Sequence, residues 1–362
     1  MIRRTKLFIV LIGMFLVSAS IAAAQPDVMQ IPVPGRAIVY AVSPDGASAA
    51  LYPNAALVRE EPPTGAFVQM IDLVTGGLTQ ALTDLPDWVS DAAYLPDGRL
   101  LTAHLNGDFI LWDVEAGAIE RQWWTGLLQS RLRISPDGAR AFVMVPGTFS
   151  TMFEMDLETG ALLRALGRHS ATLFEILEGQ GDIERRGDYT FVDFALSPDG
   201  ASLAYANADG EIFVSDLESE AFTLARERSE QPMAFDARSL RFAPDGESLF
   251  YLQFARDARQ VMQVAPNSAV IATYGESVYA YAFSADASRI AWVERSEDDL
   301  RIMIQDAVGG EAEVVFDLRE AGLAVSPIPT LSFAADGTRL LLDVNPADGD
   351  DEQAILLVIP IE

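Results

Sequence analysis

Short apolar runs recur along the chain, rich in β-branched and aromatic residues and too brief to show the spacing of helical turns. Ala37-Ile38-Val39-Tyr40-Ala41-Val42, Phe191-Val192-Asp193-Phe194-Ala195-Leu196 and Val278-Tyr279-Ala280-Tyr281-Ala282-Phe283 are three of them. Each leads into a phrase that occurs seven times: Ser43-Pro44-Asp45-Gly46, Leu95-Pro96-Asp97-Gly98, Ser135-Pro136-Asp137-Gly138, Ser197-Pro198-Asp199-Gly200, Ala243-Pro244-Asp245-Gly246, Ser284-Ala285-Asp286-Ala287 and Ala334-Ala335-Asp336-Gly337. Proline presets φ, aspartate bonds nearby amides and glycine accepts positive φ, so the phrase predicts a tight turn. A second strand follows it, as at Ser202 to Ala206, Ser248 to Gln253 and Arg289 to Val293.

The third strand ends in its own recurring phrase, Ile71-Asp72-Leu73-Val74-Thr75-Gly76, Trp112-Asp113-Val114-Glu115-Ala116-Gly117, Met155-Asp156-Leu157-Glu158-Thr159-Gly160 and Ser215-Asp216-Leu217-Glu218. A fourth follows, as at Leu162 to Leu166 or Val314 to Leu318. The turn copies lie 40 to 62 residues apart, a period of repeat architectures. Four antiparallel strands repeated radially make an all-β, seven-bladed β-propeller. The seventh repeat begins near Thr330 and stops one strand short, at Ala354 to Ile361. Val28 to Val33 is the strand expected to complete that sheet, which would latch the ring and hide an edge.

The run from Ser197 to Leu217, Ser-Pro-Asp-Gly-Ala-Ser-Leu-Ala-Tyr-Ala-Asn-Ala-Asp-Gly-Glu-Ile-Phe-Val-Ser-Asp-Leu, resembles a WD40-like or TolB-type (PD40) propeller repeat. The resemblance covers nearly all of the chain after the first residues. It implies a seven-bladed ring that serves as a binding platform. Many eukaryotic WD40 blades carry a histidine before their first strand, and here only His169 stands in such a place. The exported bacterial relatives are therefore the closer comparison.

Composition narrows the chemistry. The 362 residues hold 53 acidic against 25 basic side chains, a net charge of −28, with two histidines and no cysteine. Disulfides, thiolate zinc sites and a cysteine nucleophile are excluded, and a basic nucleic-acid groove is contrary to the charge. Arg3, Arg4 and Lys6, the apolar run Leu7 to Val17 and Ala22-Ala23-Ala24 before Gln25 read as a secretory signal peptide over residues 1–24. An uncleaved anchor is the alternative, since a membrane helix needs roughly 20 apolar residues. Residues 25–362 form the propeller, with 25–35 closing the last blade and 168–188 inserted between two blades.

The motif aspartates are read as turn caps rather than a carboxylate ring, as are Asp72, Asp113, Asp156, Asp216 and Asp306. Glu60, Glu61, Asp108, Asp209, Glu211, Glu297, Asp298, Asp299, Asp348, Asp350, Asp351 and Glu352 fall in turns between second and third strands, on the face that also carries the inter-blade links. They make a solvated acidic surface or an attractor of cations. Asp348 to Glu352 lacks the spacing of a known calcium loop. The Gly167 to Tyr189 link is the longest departure from the repeat. Ser170 would cap a short helix with Leu173, Phe174, Ile176 and Leu177 on one side. Arg168, His169, Arg185 and Arg186, with Arg164, make it the candidate interaction site, or else a plug over the ring. Trp123 and Trp124 should point to opposite sides of an outer strand, with packing the expected role, and His104 is a core or channel residue.

No nucleophile elbow, phosphate loop or dinucleotide fingerprint is present. No catalytic, cofactor or metal residue is assigned, and no cofactor is needed for folding. The expectation is an exported, monomeric platform that binds a protein or an envelope polymer, with no nucleic-acid partner and no stable membrane insertion once the signal is cut. The rival is a propeller hydrolase or lyase acting on a carbohydrate or ester through channel carboxylates, with or without calcium.

Overall fold

The computed structural model describes residues 28–34, 38–53, 68–146, 150–166, 190–227, 237–243, 246–254, 259–264, 270–275, 277–286, 288–307, 310–326, 329–347 and 353–361. These residues form seven antiparallel sheets. Blade 1 is Ile38–Val42, Ser48–Pro53, Val68–Asp72 and Leu78–Leu82. Blade 2 is Val89–Tyr94, Leu100–His104, Asp108–Asp113 and Ala118–Trp124. Blade 3 is Arg131–Ile134, Arg140–Val145, Thr151–Asp156 and Leu162–Leu166. Blade 4 is Phe191–Leu196, Ser202–Asn207, Ile212–Asp216 and Phe222–Arg226. Blade 5 is Ala237–Phe242, Leu249–Phe254, Arg259–Val264 and Val270–Tyr274. Blade 6 is Val278–Phe283, Arg289–Arg295, Leu300–Asp306 and Glu313–Asp317.

Blade 7 is built differently. Its first strand is in two pieces, Leu323–Val325 and Leu331–Phe333, which both pair with Arg339–Pro346. Pro329 falls in the gap and has no N–H to offer a ladder. The third strand is Gln353–Pro360, and the fourth comes from the other end of the chain: Met29–Pro34 pairs antiparallel with it, Met29 opposite Val358 and Pro34 opposite Gln353. Ile31 and Val33 are buried there with Leu356, Val358, Ile38 and Leu51, so the closing strand joins the core shared by blades 7 and 1. The fold is a seven-bladed β-propeller closed by an N-terminal strand.

First strands touch first strands from blade to blade through much of the ring, which places them around the axis. Second strands are the most buried; every residue of Leu100–His104 is inaccessible, whereas Ala118–Trp124 at the outside is mostly exposed. The turns between first and second strands carry the chemistry read from the sequence. Ser43 Oγ donates to Asp45, Asp45 accepts the Ala47 amide at 3.0 Å, and the arrangement recurs at Ser135 and Asp137, Ser197 and Asp199, and Ser284 and Asp286. The serine bond and then the amide hold these carboxylates below their ordinary range, Asp286 at about 2. Asp72, Asp113, Asp156 and Asp216 likewise cap the turns into fourth strands.

Those turns also set the spacing of neighbouring blades. Gly117, at φ +62°, lies so close to Gln80 of blade 1 that a Cβ would fall 1.4 Å from its Nε2. Gly160, at φ +74°, leaves a Cβ 2.8 Å from Trp123 of blade 2. Backbone and the rigid Trp123 ring together demand glycine at 160; at 117 the positive φ favours it, since the Gln80 amide can swing aside. Blade 4 has Glu220 at the corresponding place, at φ +58°, and its carboxylate meets Arg164 of blade 3 at 3.0 Å.

Candidate functional site at the axis

Superposing the seven turn phrases superposes the first strands. Two residues before the turn residue stand Ala41, Ala93, Arg133, Ala195, Arg241, Ala282 and Ser332. Four residues before it stand Val39, Asp91, Arg131, Asp193, Ser239, Ala280 and Thr330. Small residues suit a strand crowded by its neighbours at the hub. Blades 2 to 5 depart from that rule with two carboxylates and three guanidinium groups.

Asp91 and Asp193 each sit at a β-bulge in the first strand, between Val89 and Asp91 and between Phe191 and Asp193. A bulge re-aims the side chain, and both carboxylates reach the first strand of the following blade. Asp91 Oδ2 accepts the Leu132 amide at 2.8 Å, while Oδ1 accepts the Ala92 amide at 2.9 Å and the Tyr52 hydroxyl at 3.3 Å. Asp193 Oδ2 accepts the Leu240 amide at 2.7 Å and Oδ1 the Phe194 amide at 2.9 Å. Burial pushes the Asp91 carboxyl up, opposed by the Arg133 charge and the Leu132 amide.

The arginines stand off from these acids. Arg133 lies 4.0 Å from Asp91 and 3.7 Å from Asp193, and Arg131 lies 4.0 Å from Asp193. Their direct bonds are to main-chain carbonyls, Arg133 to Leu132 at 2.7 Å and Arg131 to Val192 at 3.2 Å. Arg133 is stacked over the Phe194 ring at 4.9 Å. The side chains of Arg133 and Arg131 are 39% and 50% exposed against 8% for Asp193, so the cations face the axis and the anions are enclosed. Arg241 is exposed too. Burial holds the Tyr281 and Tyr40 hydroxyls well above the usual phenol range, and the Arg241 charge opposes that at both, on blade 6 beside it and on blade 1 across the ring.

The other polar clusters are occupied by structure. His104 is fully buried in blade 2; its Nδ1 faces the Asp87 carbonyl at 3.0 Å, which can only accept, so Nδ1 carries the proton. Nε2 then accepts from the Thr102 hydroxyl at 3.0 Å, and Thr102 accepts from Trp112 Nε1 at 3.0 Å. Burial lowers the His104 pKa, which keeps the ring neutral and makes it a core residue. Glu154 is buried between Arg140 and Arg164, with Arg164 Nε at 2.6 Å. Grooves of about 420 Å³ between blades 1 and 2 and about 470 Å³ between blades 3 and 4 lie beside the turns, and their aspartates, Asp45, Asp97, Asp137 and Asp199, are engaged as caps. Trp123 stacks on Phe109, whereas Trp124 turns outward at 70% exposure with its Nε1 on the Asn106 carbonyl, so packing accounts for one tryptophan of the pair.

Arg168, His169, Arg185 and Arg186, the whole 167–189 link, Glu60, Glu61 and the acidic run 348–352 lie outside the described residues. Of the remaining acidic turn residues, Asp108 bonds Asn106, Glu211 bonds Asn207 and Asp299 pairs with Arg301, each within its own blade. Among the described residues no three metal-capable side chains gather. The axial cluster was not singled out from the sequence, although its signal is there: arginine at positions 133 and 241 in a column of alanines becomes visible once the seven phrases are written beneath one another.

No family model matches the chain, and no curated protein matches it. Among solved structures it is similar to the β-propeller domain of Cps50 (Swd1) from Myceliophteria thermophila, with a TM-score of 0.62 over 90% of this chain and 96% of that one, at 14% identity. That neighbour is a WD40 propeller. At this identity the likeness establishes the fold.

Proposed function

We infer that this is an exported, monomeric β-propeller of the bacterial PD40 and TolB-like kind, and that it works by binding a protein or envelope polymer on the face with the inter-blade links. The observation that carries binding over hydrolysis is the state of the two axial carboxylates. All four oxygens of Asp91 and Asp193 accept main-chain N–H groups, so both are engaged in joining strands, which supports a structural role for them over an acid–base one. What faces outward is a set of guanidinium groups, which recognise rather than cleave. The charge of −28 supports a soluble molecule that avoids nucleic acid and anionic lipid, and the signal-like residues 1–24 support export.

The test is capture from envelope extract on the immobilised mature protein, compared with a variant lacking 168–187. A partner retained by the full protein and lost by the deletion supports the reading, provided circular dichroism shows the deletion folded. A partner held equally by both removes the link from the interface, and no partner at all removes the platform.

A further inference from the structure

We propose that the axis holds an oxyanion site, in which Arg133 and Arg241 receive a carboxylate or phosphate group of a ligand and Arg131 adds to the positive field. The two arginines occupy the same repeat position on blades 3 and 5, and Ala195, the corresponding residue of blade 4, comes between them in the ring. Ala195 itself is buried in the core that blades 4 and 5 share, so the side chain of blade 4 at this position adds no charge between the two arginines.

Three observations support the site. First, the chain has twice as many acids as bases, and some of its arginines meet an acid at contact distance: Arg99 with Asp97 at 2.8 Å, Arg164 with Glu154 at 2.6 Å, Arg301 with Asp299 at 3.0 Å. At the axis the nearest carboxylate is 3.7 Å from Arg133, and Arg241 makes no ion pair or hydrogen bond among the described residues. Second, each oxygen of the acids nearby already accepts a main-chain amide, and a carboxylate drawn closer to an arginine would strain the Leu132 and Leu240 bonds that join successive blades. Third, Arg133 is fixed by the Leu132 carbonyl and the Phe194 ring, so its remaining donors are presented without further loss of freedom.

A guanidinium offers five donors in a planar fork, and one bond to a carbonyl leaves most of them for a ligand. Asp91 and Asp193 balance Arg131 and Arg133, so the cluster attracts a single acidic group rather than a polyanion; Arg241 supplies the unbalanced charge. The inference goes beyond the platform reading and fails separately from it, because small-anion binding is measured on the protein alone.

The experiment is calorimetric titration of the mature protein with acetate and, in a second arm, inorganic phosphate, at constant ionic strength. The expected result is saturable binding of at least one, the arms telling carboxylate from phosphate, weakened roughly tenfold or more in Arg133→Gln and in Arg241→Gln. Arg133→Gln also removes a charge beside Asp91 and Asp193, whereas Arg241→Gln touches no buried acid and tests the site without disturbing the stitches. No saturable binding of either anion, or unchanged binding in a folded Arg241→Gln protein, overturns the proposal.

Discussion

The ring is held together in two unlike ways. In blade 7 the chain ends meet through a ladder of main-chain bonds and a patch of aliphatic side chains, Ile31, Val33, Leu356 and Val358. Around the axis of blades 2 to 5 the joints are ionic, a bulged aspartate reaching the amide of the next first strand. Even the hydroxyl that ties blade 1 to blade 7 is kept uncharged: Tyr40 lies 2.7 Å from the Leu341 carbonyl and accepts from Ser332 at 2.9 Å. Closure therefore depends on forces indifferent to salt, while the hub depends on charge. A joint made from charge leaves polar groups at the surface, and it is there that the exposed arginines stand.

Substitutions at three positions probe the contrast. Ile31→Asp should be the most damaging, because it places a carboxylate in the core of the closing sheet; a loss on the order of 4 kcal/mol is expected in urea unfolding, with little salt dependence. A small loss would mean that closure does not need this strand. Asp193→Ala should cost about 2–4 kcal/mol, since it orphans the Leu240 amide and leaves Arg131 and Arg133 without their counter-charge. Asp193→Asn keeps one acceptor oxygen but turns an NH2 group toward the other amide and removes the charge, so it should lose most of the same amount; a much smaller loss would show that the amide bond, not charge, makes the joint.

The third position is the buried acid in a strand of the closing blade. Asp343 is inaccessible, accepts from the Thr330 amide, and is raised to about 7 by burial. Its folded pKa lies above its unfolded value, so the folded protein binds the proton more tightly and stability falls as pH rises from about 4 to about 7. Asp343→Asn should remove that slope, matching the parent near pH 4 and exceeding it by a few kcal/mol at most above pH 7. Parallel pH profiles for the two proteins would show that Asp343 does not titrate in this window.

Much of the architecture was written in local pattern. Tight turns need particular residues, so seven copies of one phrase counted the blades, and a missing fourth strand in the last repeat pointed to Met29–Pro34 as its replacement. In the four turns that carry both, serine and aspartate do what their spacing implied. What local pattern could not reveal is where a strand breaks or a side chain faces. The first strand of blade 7 reads as one segment near Thr330 yet is split, because Arg339–Pro346 is long enough to pair with both pieces. The axial cluster is assembled from residues of neighbouring blades, 41 to 47 positions apart in Asp91 with Leu132 and Asp193 with Leu240, and the bulges that aim the acids leave no mark in composition. Basic density favours Arg168, His169, Arg185 and Arg186, whereas the axial arginines are divided between two strands, Arg131 and Arg133 in blade 3 and Arg241 in blade 5, which no local density brings together.

The antiparallel closure also fixes how the molecule responds to tension. The chain enters the last sheet beside Met29 and leaves it beyond Pro360, and both points lie at the same end of the paired strands. A pull that separates the two termini thus falls on the Met29 and Val358 rung first and on the others in succession, opening the sheet like a zip instead of shearing all its bonds at once.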